Sequence, residues 1–193
     1  MLSYERAGRG TTSLVLVHGG LIDSRVWDSQ FRWFAERADV IRFDLPGDGR
    51  SESPGGSFSG IECLYWVMTQ LEIERAALVG LSGGARIAID FAISHPARTE
   101  KVVAVAPGLS GYDSWKLPED LVAAARAAIR SGDRNRAVQA WLDLWAPVSK
   151  DALLELARDN ADSLFGGPRL VDLDPPAIGR LGRTTSADTC RAG

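Results

Sequence analysis

Cysteine and histidine are scarce in this 193-residue chain, with two of each. Cys63 and Cys190 lie far apart and show no metal-ligand spacing. That excludes a disulfide framework and a thiolate metal site, and both are expected to stay reduced, as in the cytoplasm. Only His18 and His95 are available as an imidazole base. No excess of one charge exists: 22 Lys and Arg stand against 25 Asp and Glu, a net charge of −3. Electrostatic attraction to nucleic acid or to an anionic membrane is therefore excluded. No apolar run approaches the roughly 20 residues that span a bilayer. Residues 1–10 lack the apolar stretch of a signal peptide. Internal repeats, low-complexity blocks and cofactor-binding motifs are also absent. What remains is 45% hydrophobic and 24% charged, the balance of a soluble globular chain long enough for one domain with a core.

Short apolar runs alternate with helical patterns over the first half of the chain. Leu14-Val15-Leu16-Val17 reads as a buried strand ended by His18-Gly19-Gly20. Trp27, Phe31 and Phe34 then recur at helical spacing behind Asp23 and Ser24, either of which can cap that helix. Val40-Ile41-Arg42-Phe43 is the next strand, closed by the turn residues Pro46-Gly47-Asp48-Gly49. A helix follows from Ile61 to Leu71. The strand Ala77-Leu78-Val79 runs into Gly80-Leu81-Ser82-Gly83-Gly84, and a helix carrying Ile87, Ala88, Phe91 and Ala92 ends before Pro96. Val102-Val103-Ala104-Val105 is a further strand. This alternation predicts an α/β architecture, a mostly parallel sheet covered by helices on both faces.

From Pro118 to Phe165 the pattern is helical throughout. Pro118 suits the first position of a helix, with Glu119 and Asp120 in its first turn and Gly132 at its end. Asp133 and Ser149 can cap two further helices. The expected organisation is a core over 1–108, a helical insertion over 109–170 and an irregular tail over 171–193. Trp115, Trp141, Leu144, Trp145 and Phe165 concentrate in the insertion. They are open to two readings, an apolar lining above Ser82 or packing among the helices.

Gly80-Leu81-Ser82-Gly83-Gly84 fits G-x-S-x-G, a sharp strand-to-helix turn that lifts a serine hydroxyl above the sheet. Its context, after a strand and opening a helix, is what that motif requires. Together with Leu16-Val17-His18-Gly19-Gly20 and Phe43-Asp44-Leu45-Pro46-Gly47-Asp48-Gly49-Arg50-Ser51, it resembles the α/β-hydrolase family, in its esterase-like and lactonase-like branch with a helical cap. His95-Pro96 and Ala106-Pro107-Gly108 fit as well, so the resemblance runs from about Leu14 to about Leu181. It implies Ser82 as nucleophile. It implies an oxyanion hole from the backbone N–H of Gly83 and that of Gly20 or Leu21. It is much less specific for a substrate; the apolar-lining reading of the helical insertion suits a small apolar ester or lactone, and no metal and no cofactor are expected. Asp48 departs from the family, where many members carry histidine or an aromatic, and reads as a turn residue.

The family places its acid and its histidine after later strands, and this chain shows neither strand. Residues 182–188 carry no apolar run where a strand is expected, which reads as a truncation or a change of frame. His95 lies 13 residues along the helix from Ser82, about 20 Å at 1.5 Å per residue. His18 is nearer but resembles a structural element beneath the oxyanion loop. Asp113 follows the Val102 strand, where some hydrolases place their acid, but has no histidine to orient. Poor ester turnover is expected, since a serine needs a base. Two other readings stay open: a non-catalytic binding module that keeps the fold, and a haloperoxidase-like relative. Without further strands, 102–106 becomes a sheet edge that invites self-association.

Overall fold

A computed structural model describes residues 1–112 and 116–180. Trp115, Asp113 and Cys190, together with most of the expected tail, lie outside the described residues. Among the described residues there are seven strands: β1 (Tyr4–Ala7), β2 (Ser13–Val17), β3 (Asp39–Phe43), β4 (Ser57–Phe58), β5 (Ala76–Leu81), β6 (Thr99–Val105) and β7 (Arg169–Leu170). Six α-helices accompany them: α1 (Asp28–Ala35), α2 (Gly60–Gln70), α3 (Gly83–Ser94), α4 (Glu119–Ser131), α5 (Arg134–Trp145) and α6 (Lys150–Asp159). Five strands form one sheet in the order β1-β3-β2-β5-β6. β3, β2, β5 and β6 run parallel, and β1 joins β3 antiparallel at one edge.

The central strands are buried because both faces of the sheet are covered. On one face Val15, Val17, Ile41, Phe43 and Leu78 pack with Leu64, Val67 and Met68 of α2 and with Ile87 and Phe91 of α3. On the other, Leu14, Leu16 and Val40 pack with Trp27 and Phe31. Such layering explains why β2 carries the continuous apolar run Leu14–Val17 and why β3, despite Asp39 and Arg42, is buried along its whole length. Asp23 caps a 3-10 turn over Ser24–Trp27, its carboxylate accepting the Arg25 N–H at 3.0 Å, whereas α1 itself follows Trp27 with no side-chain capping bond, so neither Asp23 nor Ser24 caps it.

α4, α5 and α6 form a helical group with its own small core of Val138, Leu142, Ala157 and Ala161, on which Leu21 packs. Gly132 ends α4 in the left-handed region, and Asp133 caps α5 by accepting the Arg136 N–H at 3.0 Å. Pro118 stands just before α4 rather than at its first position. Ser149 precedes α6, but its hydroxyl makes no capping bond. β4 and β7 are two-residue strands that pair parallel and tie 169–170 back to 57–58. Among the described residues no helix is long and apolar enough to cross a membrane.

Candidate active site

β5 turns into α3 through Ser82, whose backbone sits at φ 53°, ψ −113°. That region is unfavourable for an L-residue and costs about 1–3 kcal/mol unless its surroundings impose it. Here they do. The Ser82 N–H donates to the carbonyl of Val105 at 2.9 Å, and the Ser82 carbonyl accepts from Arg86 and Gly108, each at 3.1 Å. The flanking glycines make the turn fit. A Cβ on Gly80 would lie 2.3 Å from the Gly84 carbonyl oxygen, and one on Gly84 2.3 Å from that of Val17. Neither position accepts a side chain without moving backbone. The Ser82 side chain makes no capping hydrogen bond, and the residue is exposed.

The loop after β2 lies against this elbow. A Cβ on Gly19 would be 3.2 Å from Cβ of Ser82, and one on Gly83 would be 3.9 Å from the backbone nitrogen of Gly20. Leu21 follows at φ 59°, and Ala106, just past β6, at φ 44°. Three non-glycine residues with positive φ therefore sit just beyond the C-terminal ends of neighbouring strands β2, β5 and β6. In open α/β sheets those ends are where ligands bind, and strain gathered there is a pointer to function. Gly20, Leu21 and Gly83 line one cavity of about 250 Å³ with Leu45, Asp48, Phe58, Trp141 and Leu164. The residues expected as oxyanion donors are thus brought together around one space.

His18 is buried, with both ring nitrogens engaged. Nδ1 lies 2.7 Å from the Gly19 carbonyl, to which it donates, and Nε2 accepts the Leu45 N–H at 2.8 Å. Burial lowers its pKa, so the neutral ring fastens the loop after β2 to the loop after β3. No ring nitrogen is left for Ser82. His95 ends α3, its ring tilted against those of Phe91 and Tyr65, at the far end of the helix from Ser82. Neither histidine is placed as a base for the Ser82 hydroxyl.

The loop Asp44–Ser51 is held by Asp44, whose carboxylate accepts the Ser24 and Arg50 N–H groups at 2.9 Å each. Asp23 is buried, which by itself would raise its pKa. Hydrogen bonds from Arg25 and Asn160 overcome that and hold it down to about 2. Asn160, just after α6, also accepts the Gly49 N–H at 2.7 Å. It therefore ties the helical group to the loops after β2 and β3. Nothing in the local sequence signals that role. A second cavity of about 370 Å³ is lined by Glu5, Asp23, Arg25, Asp44, Arg50 and Asp159. Each of these charged side chains is engaged in an ion pair.

Of the aromatic residues in the helical group, Trp141 lines the 250 Å³ cavity. Trp145 is exposed, and Phe165 lies under the Arg134 guanidinium, its centroid 5.9 Å away. Leu144 is half-buried and outside the cavity wall.

Residues 12–158 match the family described as α/β hydrolase fold. The pimeloyl-[acyl-carrier protein] methyl ester esterase of Pectobacterium atrosepticum is 32% identical, over 88% of this chain and 71% of that protein. The enzyme of the same name from Klebsiella pneumoniae is 30% identical, over 91% of this chain and 74% of that protein. Among solved structures, an enol-lactonase from Burkholderia xenovorans superposes with a TM-score of 0.67 at 24% identity, over 86% of this chain and 69% of that one. An esterase from a Rhodococcus species superposes with a TM-score of 0.69 at 22% identity, over 88% and 70%.

Proposed function

Because the chain belongs to the α/β hydrolase fold family, we propose that its site takes carboxylic esters or lactones and attacks them with Ser82. The observation that carries this reading is the strained, exposed Ser82 beside a cavity walled by Gly20 and Gly83. The Ser82 oxygen adds to the acyl carbon while the N–H of Gly83, with that of Gly20 or Leu21, holds the oxyanion. The C–O bond then breaks, the alcohol leaves with a proton, and water releases the acid from the acyl-serine. Relatives named for a methyl ester and an enol-lactone support this bond type.

The proton step limits the reaction. Neither His18 nor His95 is placed as a base for Ser82, so its hydroxyl attacks from its weakly nucleophilic neutral form. Removing the base from a serine protease triad lowers kcat on the order of a millionfold, and what survives comes from oxyanion binding. The reading is therefore an esterase-type site with impaired turnover. The engagement of both His18 nitrogens also supports a second reading, in which the cavity binds an ester-like ligand without turnover.

A fluorophosphonate probe separates the two. The expected result is covalent labelling by mass spectrometry, absent in Ser82→Ala, with turnover of an activated ester far below the 1–10³ s⁻¹ of typical enzymes. Labelling that ignores Ser82→Ala, or no labelling at all, replaces the first reading by the second. Turnover within the typical range contradicts the impairment.

A further inference from the structure

Asp48 belongs to the turn after β3, where its N–H donates to Leu45 and its carbonyl accepts from Ser51, each at 3.0 Å. Those bonds account for its backbone and leave its side chain unexplained. The residue is 8% exposed, and its Oδ1 is buried with no hydrogen-bond partner among the described residues. A buried carboxyl without a donor or a cation is costly, and such an orphan needs a reason. Asp48 lines the cavity that Gly20 and Gly83 also line. No lysine, arginine or histidine is among the lining residues.

We propose that Asp48 is a specificity residue of that cavity, admitting an acyl chain that is uncharged where it meets this carboxyl and rejecting one that carries a carboxylate there. The proposal rests on the ester-binding reading given above. The neighbouring charges support it. Asp23 and Asp44 act on the Asp48 carboxyl, and both are acidic. The nearby cations are committed elsewhere, Arg25 to Asp23 and Asp159, and Arg50 to Glu5 and Asp44. From the helical group only uncharged residues face the cavity, Trp141, Ser163 and Leu164. Burial, reinforced by Asp23 and Asp44, pushes the Asp48 carboxyl up to about 7. Below that pH the group is a neutral acid, which donates a hydrogen bond to a carbonyl, an ether or a carboxylate oxygen. Above it the group is an anion, which repels a carboxylate.

The test uses the full chain and a matched pair of probes, dimethyl adipate and its half-ester monomethyl adipate. Binding is followed by NMR at the Gly20 and Gly83 amides, at about pH 5.5 and about pH 8.5, either side of the titration. The expected result is a ratio of half-ester to diester Kd that rises about tenfold with pH in the wild type and stays flat in Asp48→Asn. A flat ratio in the wild type, the same rise in Asp48→Asn, or no shift at either amide with either probe overturns the proposal. If the variant fails to fold, carbon-detected titration of the wild-type Asp48 carboxyl decides. Saturating diester is expected to raise its midpoint, and an unchanged midpoint overturns the proposal. Loss of Ser82 labelling with the pH-dependent ratio intact would sink the catalytic reading alone. Labelling with a flat ratio would sink only this one.

Discussion

Asp23 and Asp48 lie on neighbouring loops and are displaced in opposite directions. Asp23 has Arg25 and Asn160 as donors and is held down to about 2, so its contribution to stability is present above about pH 4 and is lost on acidification towards pH 2. Asp48 has no such donor and titrates near 7 when folded, against an ordinary value of 3.8. Between those two pH values the folded chain keeps a proton that the unfolded chain has released, so stability falls as pH rises. The loss is complete once pH passes the folded value. At 1.36 kcal/mol per unit it reaches at most about 4 kcal/mol. Asp48→Asn removes that penalty. The variant is expected to melt close to the wild type near pH 4, and to be more stable by a few kcal/mol near pH 8. Thermal melts of both proteins across that range provide the check. Parallel curves would mean that Asp48 finds a partner when ionised.

At the scale of elements, Asn160 supplies the buried hydrogen bonds between the sheet's loops and α4–α6, beside the packing of Leu21 and the Arg25–Asp159 pair. Its amide donates to Asp23 at 2.8 Å and to the Leu156 carbonyl at 2.7 Å, and its oxygen accepts from Gly49. Asn160→Ala leaves Asp23 and the Gly49 N–H each short of a buried partner. A loss of about 2–3 kcal/mol is expected, with hydrogen exchange accelerating in α6 before it does in β2 or β5. Uniform acceleration across the chain would contradict a local role for this tie. This contact also marks how far the sequence could be read. The strands β2, β3, β5 and β6 and the helices α2 and α3 are legible because each is a local apolar pattern bounded by turn residues. Ser82, Gly83 and Gly20 are legible because short contiguous motifs carry them. β1 is not, since Tyr4–Ala7 is short, polar and half-exposed at an edge. β4 and β7 are two residues each and exist only through their pairing. Asn160 meets Gly49 across 111 residues of sequence and Asp23 across 137. The orphaned Asp48 oxygen is likewise set by three-dimensional packing, which turn chemistry alone does not encode.

Across the whole molecule, the two sheet edges differ. β1 closes one side with a half-exposed, charge-bearing strand whose Glu5 and Arg6 pair with Arg42 and Asp39. β6 forms the other edge, and among the described residues no strand pairs with its outer side. Glu100 and Lys101 place exposed charges at its start, the usual protection of an edge. Its second half has none: Val103 is 53% exposed and Val105 41%. Unpaired backbone groups beside exposed valines form a template for a second copy of the chain. Self-association is therefore expected, with dimers or larger species appearing on the order of 10–100 μM in sedimentation velocity. Val103→Lys adds a charge at the unprotected half without touching the buried side of the strand. That variant is expected to sediment as a monomer over the same range, with stability changed by no more than about 0.5 kcal/mol, as for an ordinary surface substitution. Because Val105 accepts the Ser82 N–H, pairing along β6 would also brace the elbow. Fluorophosphonate labelling of the wild type should then depend on protein concentration, and that of the lysine variant should not. A wild type that stays monomeric throughout, or an association that the lysine leaves unchanged, would remove β6 as the interface.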